Sequence, residues 1–310
     1  MKFAVVGAGA VGGYLAAELA ADGADVVALA RGAHLEAIRR SGLTLRAAEG
    51  ETVAPIRAVA DAGSVGVVDF VLVTVKAYDL ESADLAPMLG PDTAIVPFLN
   101  GVEAPAMLDA RYGAGRAMVG VARISASIVA PGVIGLHAPF ARFEIGEVSG
   151  AVTPRLEALR AALAHAGVDV ELPLDPVRSL WRKFLLLAAI SGVTAGARCD
   201  LATVRSQPML SALYRTLAEE AAAVGAAAGA DVGPDDVAEV MQALQSLPGT
   251  LRASMAHDLA AGKRLEVDWL AGAVSRLGDR HGVPTPANDA VWALLRPHAK
   301  GAAEEAGFAI

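Results

Sequence analysis

The first half of the chain alternates short apolar runs with turns marked by glycine or proline. Lys2 to Val6 is a β-rich run that stops at glycine, Tyr14 to Ala21 has helical character, and Ala24 to Ala30 is apolar again. That order predicts strand, turn, helix and strand within about 30 residues. Leu43 to Arg46 and Thr52 to Ala58 alternate as short strands around Glu49-Gly50. Val67 to Val75 and Ala94 to Leu99 are near-continuous apolar runs, the pattern of strands buried on both faces. From Gly120 to Glu147, Val, Ile, Ser and Phe between turns at Pro131-Gly132 and Pro139 predict antiparallel strands closing the sheet.

The texture then changes. Thr153 to Ala166 predicts a helix with Pro154 in its first turn, and Pro173 to Pro176 a linker. Helical periodicity follows over Val177 to Ala195, Met209 to Ala228, Pro234 to Leu247, Leu251 to Ala260, Glu266 to His281 and Asn288 to Pro297. Between Leu265 and Leu277 one stripe gathers Leu265, Trp269, Ala273 and Leu277, with Arg276 among them. Alternating strand and helix followed by helix alone predicts an α/β chain. A Rossmann-like, doubly wound domain is expected over residues 1–173 and an all-helical domain over 174–310, with a ligand cleft at the seam.

The length of 310 residues suits two domains, and 54% hydrophobic against 19% charged residues excludes a disordered chain. The 68 alanines are compatible with helix formation in the second half. A net charge of −8, with neither half basic, argues against a nucleic-acid partner. Met1-Lys2 and the apolar residues after it imitate a signal peptide, but the glycine pattern from Gly7 to Gly13 and Glu18 interrupt it. Phe184 to Gly196 spans 13 residues, short of the roughly 20 a membrane helix needs. The lone Cys199 cannot form an internal disulfide, and His34, His137, His165, His257, His281 and His298 show no metal-ligand spacing. No metal is expected, and a reducing cytoplasm fits best.

Gly7-Ala8-Gly9-Ala10-Val11-Gly12 fits G-x-G-x-x-G between a predicted strand and a predicted helix. Gly7 permits the tight turn, Gly9 lets the backbone approach a pyrophosphate, and Gly12 allows close helix-to-strand packing. The helix N-terminus offers N–H groups and a positive dipole end to the same group. After the second strand comes Leu29-Ala30-Arg31, with no acid until Glu36. An acid there would bind the ribose 2′-hydroxyl of NAD, whereas arginine accommodates a 2′-phosphate, so NADP(H) is the expected cofactor. The alternative is an exposed loop arginine.

Hydride transfer to a ketone leaves negative charge developing on the carbonyl oxygen, which calls for a proton donor and a substrate anchor. Lys183, in Trp181-Arg182-Lys183 at the start of an apolar helix, can serve as donor, and Glu266 and Ser254 lie in the helical half. Spacing alone equally allows a snorkelling lysine and a helix N-terminal charge.

The chain resembles the ketopantoate reductase (2-dehydropantoate 2-reductase) family almost end to end. The residues that carry the likeness are Gly7 to Gly12, Arg31, Val75-Lys76-Ala77-Tyr78, Leu99-Asn100-Gly101-Val102, Leu180-Trp181-Arg182-Lys183, Ser254-Met255 and Glu266-Val267-Asp268. The resemblance implies NADPH-dependent reduction of a 2-oxo acid to a 2-hydroxy acid, as in pantothenate biosynthesis. It makes Lys183 the general acid and Glu266 the acid that orients the lysine and substrate. Asn100 and Ser254 become substrate-binding groups, Lys76 a cofactor-side lysine, and Asn100 borders the cofactor as well. Each also has a bland reading: a turn for Asn100, a solvated loop charge for Lys76, a helix cap for Ser254.

The family's better-known members carry asparagines one and two helical turns after the lysine, positions held here by Leu187 and Ser191. Ser191 keeps a hydroxyl on the substrate side, while Leu187 makes that wall drier. A 2-oxo acid is thus a firmer expectation than ketopantoate itself. Arg198 is either a carboxylate clamp or a partner of the helix dipole, and Cys199 is expected to be packed rather than nucleophilic. A dehydrogenase working on a 2-hydroxy acid and a non-catalytic NADP-binding sensor are the alternatives. The helical half could supply a homodimer interface.

Overall fold

In the computed structural model, which describes residues 1–302, the opening pattern forms β1 (Lys2–Val6), α1 (Ala10–Ala21) and β2 (Asp25–Leu29). Then come α2 (Gly32–Ser41), β3 (Leu43–Ala47), β4 (Gly50–Ala54), β5 (Arg57–Val59), β6 (Val68–Val73), β7 (Leu89–Pro97) and α3 (Ala104–Tyr112). The long strands β8 (Met118–Ala130) and β9 (Val133–Glu147) precede α4 (Pro154–His165) and β10 (Asp169–Glu171).

Strands β5-β2-β1-β6-β7 form one parallel sheet in that order. The order reverses beside β1, the switch point at which doubly wound sheets take their ligands. β1 and β6 are apolar because helices or a second sheet cover them: Phe3, Val5, Leu72 and Val73 are fully buried. The predicted strands between Gly120 and Glu147 do not close this sheet. They build a second one, ordered β10-β9-β3-β4 with β8 on β9. The reason is nonlocal: Thr44 to Arg46 of β3 pair in parallel with Val133 to Gly135 of β9, leaving an isolated bridge from Ile95 to Ala117 beside the first sheet.

Helix α1 packs against both sheets. Tyr14 stacks on Phe143 of β9 at 5.7 Å, and Phe98 meets the same ring edge-on at 5.5 Å. Gly13 lets β9 approach, since a Cβ there would lie 2.8 Å from Ile134.

The second group of elements is α5 (Pro176–Gly196), α6 (Leu201–Ser206), α7 (Pro208–Ala227), α8 (Pro234–Ser246), α9 (Ser254–Ala260), α10 (Ala271–His281) and α11 (Pro286–Leu295). Its core centres on α7, whose Tyr214, Leu217, Ala218, Ala221 and Val224 are fully buried. Gly225 admits the Trp181 ring, and the buried Glu220 carboxylate caps α11 by accepting from the N–H groups of Ala287 and Asn288.

The described residues divide into two compact units, 1–99 with 104–179 and 100–103 with 180–302. The division lies inside α5 rather than at Pro173, because the first turn of that helix belongs with β9: the Ser179 hydroxyl donates to Glu144. Residues 100–103 belong to the second unit although their neighbours on both sides belong to the first. The stretch expected as one helix from Glu266 breaks into a short 3-10 turn, Val267–Trp269, followed by α10.

Candidate active site

The glycine loop lies wholly in the first unit, at the C-terminal end of β1. Gly7 has φ of +99°, and a Cβ there would sit 2.9 Å from the Val75 backbone nitrogen. Gly12 is closer still: its Cβ would lie 2.2 Å from Thr74 Oγ1 and 2.3 Å from the Gly7 carbonyl. Gly9 differs, with no neighbour nearer than the Gly7 carbonyl at 4.0 Å. It is the N-cap of α1, which has no side-chain cap and no acid in its first turn. An open glycine before an uncapped, acid-free helix start fits the pyrophosphate of a dinucleotide. Ala8, Ala10 and Val11 complete the loop between them.

Two residues without a sequence signal hold this loop. Thr74, just past β6, donates its hydroxyl to the Gly7 carbonyl at 2.7 Å. His34 of α2 accepts the Gly132 N–H on Nδ1 at 2.9 Å, so the proton sits on Nε2 and points at the Ala8 carbonyl 2.8 Å away. The chemistry of neither residue type distinguishes these tertiary roles in advance.

Arg31 is the N-cap of α2, and its side chain is 87% exposed. Its guanidinium donates to the Asp79 carboxylate at 2.7 Å. Lys76 is half-buried and precedes the 3-10 turn Ala77–Asp79, so the loop after β6 brings Lys76 and Asp79 to the same end of the sheet as Arg31.

The catalytic candidates lie wholly in the second unit. Glu266 is 4% exposed and accepts a hydrogen bond from the Asn100 amide at 3.3 Å across 166 residues of chain. Lys183 is half-buried on α5, between Trp181 and Phe184, whose rings meet edge to face at 5.5 Å. Leu187, one turn on, is half-buried, and Ser191, two turns on, is only 2% exposed. Ser254 opens α9 as an exposed residue following the buried Ala253, whose N–H reaches the Thr194 hydroxyl at 3.3 Å. The structure thus joins Asn100 to Glu266, Arg31 to Asp79 and the loop glycines to Thr74.

Burial, then the neighbouring Asp200 carboxylate, pushes the Cys199 thiol up against a smaller opposing pull from Arg252. A raised thiol is a poor nucleophile. Arg198 stands exposed just beyond α5 with φ of +51°. No group of three or more His, Cys, Asp or Glu residues among the described residues could hold a metal. No helix among them is long and apolar enough to cross a membrane.

A parallel sheet whose first strand opens onto a bare, glycine-lined helix start, in one chain with an all-helical unit, defines a dinucleotide-dependent oxidoreductase. Residues 3–150 match the family model described as ketopantoate reductase PanE/ApbA, and residues 176–299 match its C-terminal counterpart. The chain belongs to the ketopantoate reductase family, whose chemistry implies a nicotinamide cofactor. It is 34% identical to the 2-dehydropantoate 2-reductase of Mesorhizobium japonicum, over 96% of this chain and 97% of that one. It is 33% identical to the enzyme of the same name from Caulobacter vibrioides, over 95% and 98%. Among solved structures, a PanE/ApbA family ketopantoate reductase from Ralstonia eutropha superposes with a TM-score of 0.87 at 32% identity, covering 96% of this chain and 98% of that one. D-mandelate dehydrogenase shares the fold at 23% identity and a TM-score of 0.86, over 96% and 98%.

Proposed function

We propose that the protein reduces a 2-oxo acid to the 2-hydroxy acid with NADPH, and that 2-dehydropantoate, which would place it in pantothenate biosynthesis, is the first substrate to test. The observation that carries this reading is the buried Glu266 carboxylate paired with the Asn100 amide, in the unit that also holds Lys183. A carboxylate removed from water is held by polar or cationic partners that offset its desolvation, and the Asn100 amide at 3.3 Å is one of them. A cationic lysine and a hydroxy- or oxo-acid substrate are the partners such a group is suited to orient.

When bound, the reduced nicotinamide supplies the hydride. Gly7, Gly9 and Gly12 with the start of α1 would hold its pyrophosphate, Arg31 would meet a ribose 2′-phosphate, and Lys76 would stand on the cofactor side. Lys183 gives a proton to the substrate's carbonyl oxygen, which stays on its carbon and becomes the hydroxyl of the product. Glu266 directs the lysine ammonium, and Asn100 and Ser254 bind the polar end of the substrate. Leu187 presents a methyl-bearing surface one turn from Lys183, which favours a branched or aromatic substituent on the 2-oxo acid.

The Arg31–Asp79 pair bears on the cofactor. An exposed arginine already bonded to a carboxylate shares its donors with any incoming phosphate, so preference for NADPH over NADH rests on Arg31 and is moderated by Asp79.

The test is steady-state turnover of the purified protein with NADPH and NADH against a panel of 2-oxo acids, followed by loss of the reduced-nicotinamide absorbance. Turnover with NADPH and a branched 2-oxo acid supports the reading. Tight dinucleotide binding without oxidation by any acid would replace it with a sensor.

A further inference from the structure

An arginine in an otherwise apolar helical stripe needs a reason, and Arg276 of α10 has one in the second unit. Its Nη2 donates to the Glu103 carboxylate at 2.7 Å, and its Nη1 donates to the Asp268 carbonyl at 2.8 Å. Glu103 is largely buried, with 16% of its side chain exposed, and Arg276 is 38% exposed. Asp268 belongs to the 3-10 turn that begins immediately after Glu266, and the Trp269 N–H closes that turn on the Glu266 carbonyl at 2.9 Å. One guanidinium therefore bonds at once to the turn that carries Glu266 and to the segment 100–103 that carries Asn100.

Those two segments meet at a third point. Gly101 has φ of +100°, and a Cβ there would stand 3.1 Å from the Trp269 carbonyl, so the loop backbone lies directly against the turn. Of these contacts the Asn100–Glu266 hydrogen bond is the weakest, since 3.3 Å exceeds the usual span of a charge-assisted bond. A bond of that length sets the geometry of its partners only weakly. The Arg276–Glu103 bond is shorter and charge-assisted, and its largely buried Glu103 end makes water and salt weaken it less than they weaken a fully exposed pair. Asp268 is fixed from its other side as well, its carboxylate accepting from Trp292 Nε1 at 2.6 Å.

We infer that Arg276 and Glu103 are positioning residues for the reaction: their ion pair clamps segment 100–103 to the Glu266 turn and so sets the placement of Asn100 and Glu266. The inference rests on the reading of Glu266 and Asn100 as site residues. Misplacement by an ångström at a reacting centre is costly even when every reacting group is present.

The test is a double-mutant cycle in the full-length protein, with Arg276→Met, Glu103→Gln and both together. Glu266→Gln is a separate arm. Each variant is assayed for kcat, KM and NADPH affinity well below its own melting temperature. The single variants are expected to lower kcat/KM about 10- to 100-fold with NADPH affinity unchanged, and the double variant to be no worse than the worse single one. Arg276→Lys keeps the charge but loses the planar fork, and falls between wild type and Arg276→Met. A merely structural pair would lower stability without this split between turnover and cofactor affinity.

Wild-type turnover in Arg276→Met and Glu103→Gln, with Glu266→Gln inactive, overturns the clamp and leaves the site reading intact. Losses that multiply in the double variant also overturn it. Full turnover in Glu266→Gln overturns the site reading, and the clamp with it.

Discussion

Replacing Gly9 and Gly12 in turn by alanine separates the two tasks of the glycine loop. A Cβ on Gly12 would lie 2.3 Å from the Gly7 carbonyl and 2.2 Å from Thr74 Oγ1, with Val5 at 2.9 Å. Two of these neighbours are locked, the carbonyl by the backbone and the hydroxyl by its own bond to Gly7, so the helix must move off the strand. The expected cost is at the upper end of the overpacking range, about 3 kcal/mol, or a fall of roughly 6 to 12 °C in Tm for a unit of this size.

Gly9→Ala meets nothing closer than 4.0 Å, and φ of −76° with ψ of −154° is open to alanine. Loss of chain entropy in the unfolded state offsets the poorer N-cap, so stability should change by less than about 1 kcal/mol. On the proposed reading the new methyl instead stands in the path of the pyrophosphate. Losing one or two charge-assisted bonds, at about 1.5 to 3 kcal/mol each, weakens NADPH binding at least about 10-fold. Thermal unfolding monitored by circular dichroism and a fluorescence titration with NADPH read the two effects separately. Wild-type NADPH affinity in Gly9→Ala, or wild-type Tm in Gly12→Ala, refutes the assignment.

Lys183→Ala should reduce kcat by about 100-fold or more while NADPH affinity measured by titration stays near wild type. Arg31→Asp should shift the NADPH-to-NADH ratio of kcat/KM toward NADH, and Asp79→Asn should shift it toward NADPH; an unmoved ratio in both would remove this pair from cofactor selection. Tyr14 offers a pH test: burial first, then the Glu18 and Asp169 charges, push its hydroxyl from near 10 up to about 12. The folded state thus keeps a proton that the unfolded chain releases, so this contribution is intact below pH 10 and is lost as pH rises toward 12. Denaturant titrations across that window should show a shallower loss in Tyr14→Phe, with part of the slope remaining because burial also raises Tyr214.

Local patterns made much of this protein legible. The β1–α1–β2 unit and its glycines are contiguous, and Gly7 and Gly12 answer constraints set within a few residues or by the adjoining strand. Helices α2 and α3 were not legible. They are short, with few buried positions: Leu35, Ala37 and Ile38 in one, Ala104 and Leu108 in the other. The break after Glu266 was hidden for a different reason. Asp268 gives its carbonyl to Arg276 and its carboxylate to Trp292, and these tertiary bonds replace the helical ladder that the local pattern favours.

The sequence by itself determined the α/β-then-helical order, the glycine loop, and the residues able to carry charge chemistry, because these depend on neighbours in the chain. Only the tertiary structure decided that residues 120–147 build a second sheet, that Arg31 meets Asp79, and that segment 100–103 joins the helices. It also paired Asn100 with Glu266 across 166 positions. Pairings at that separation are chosen by which strand edges, buried charges and backbone carbonyls are left to satisfy once the local elements have formed, and spacing along the chain carries no record of that choice.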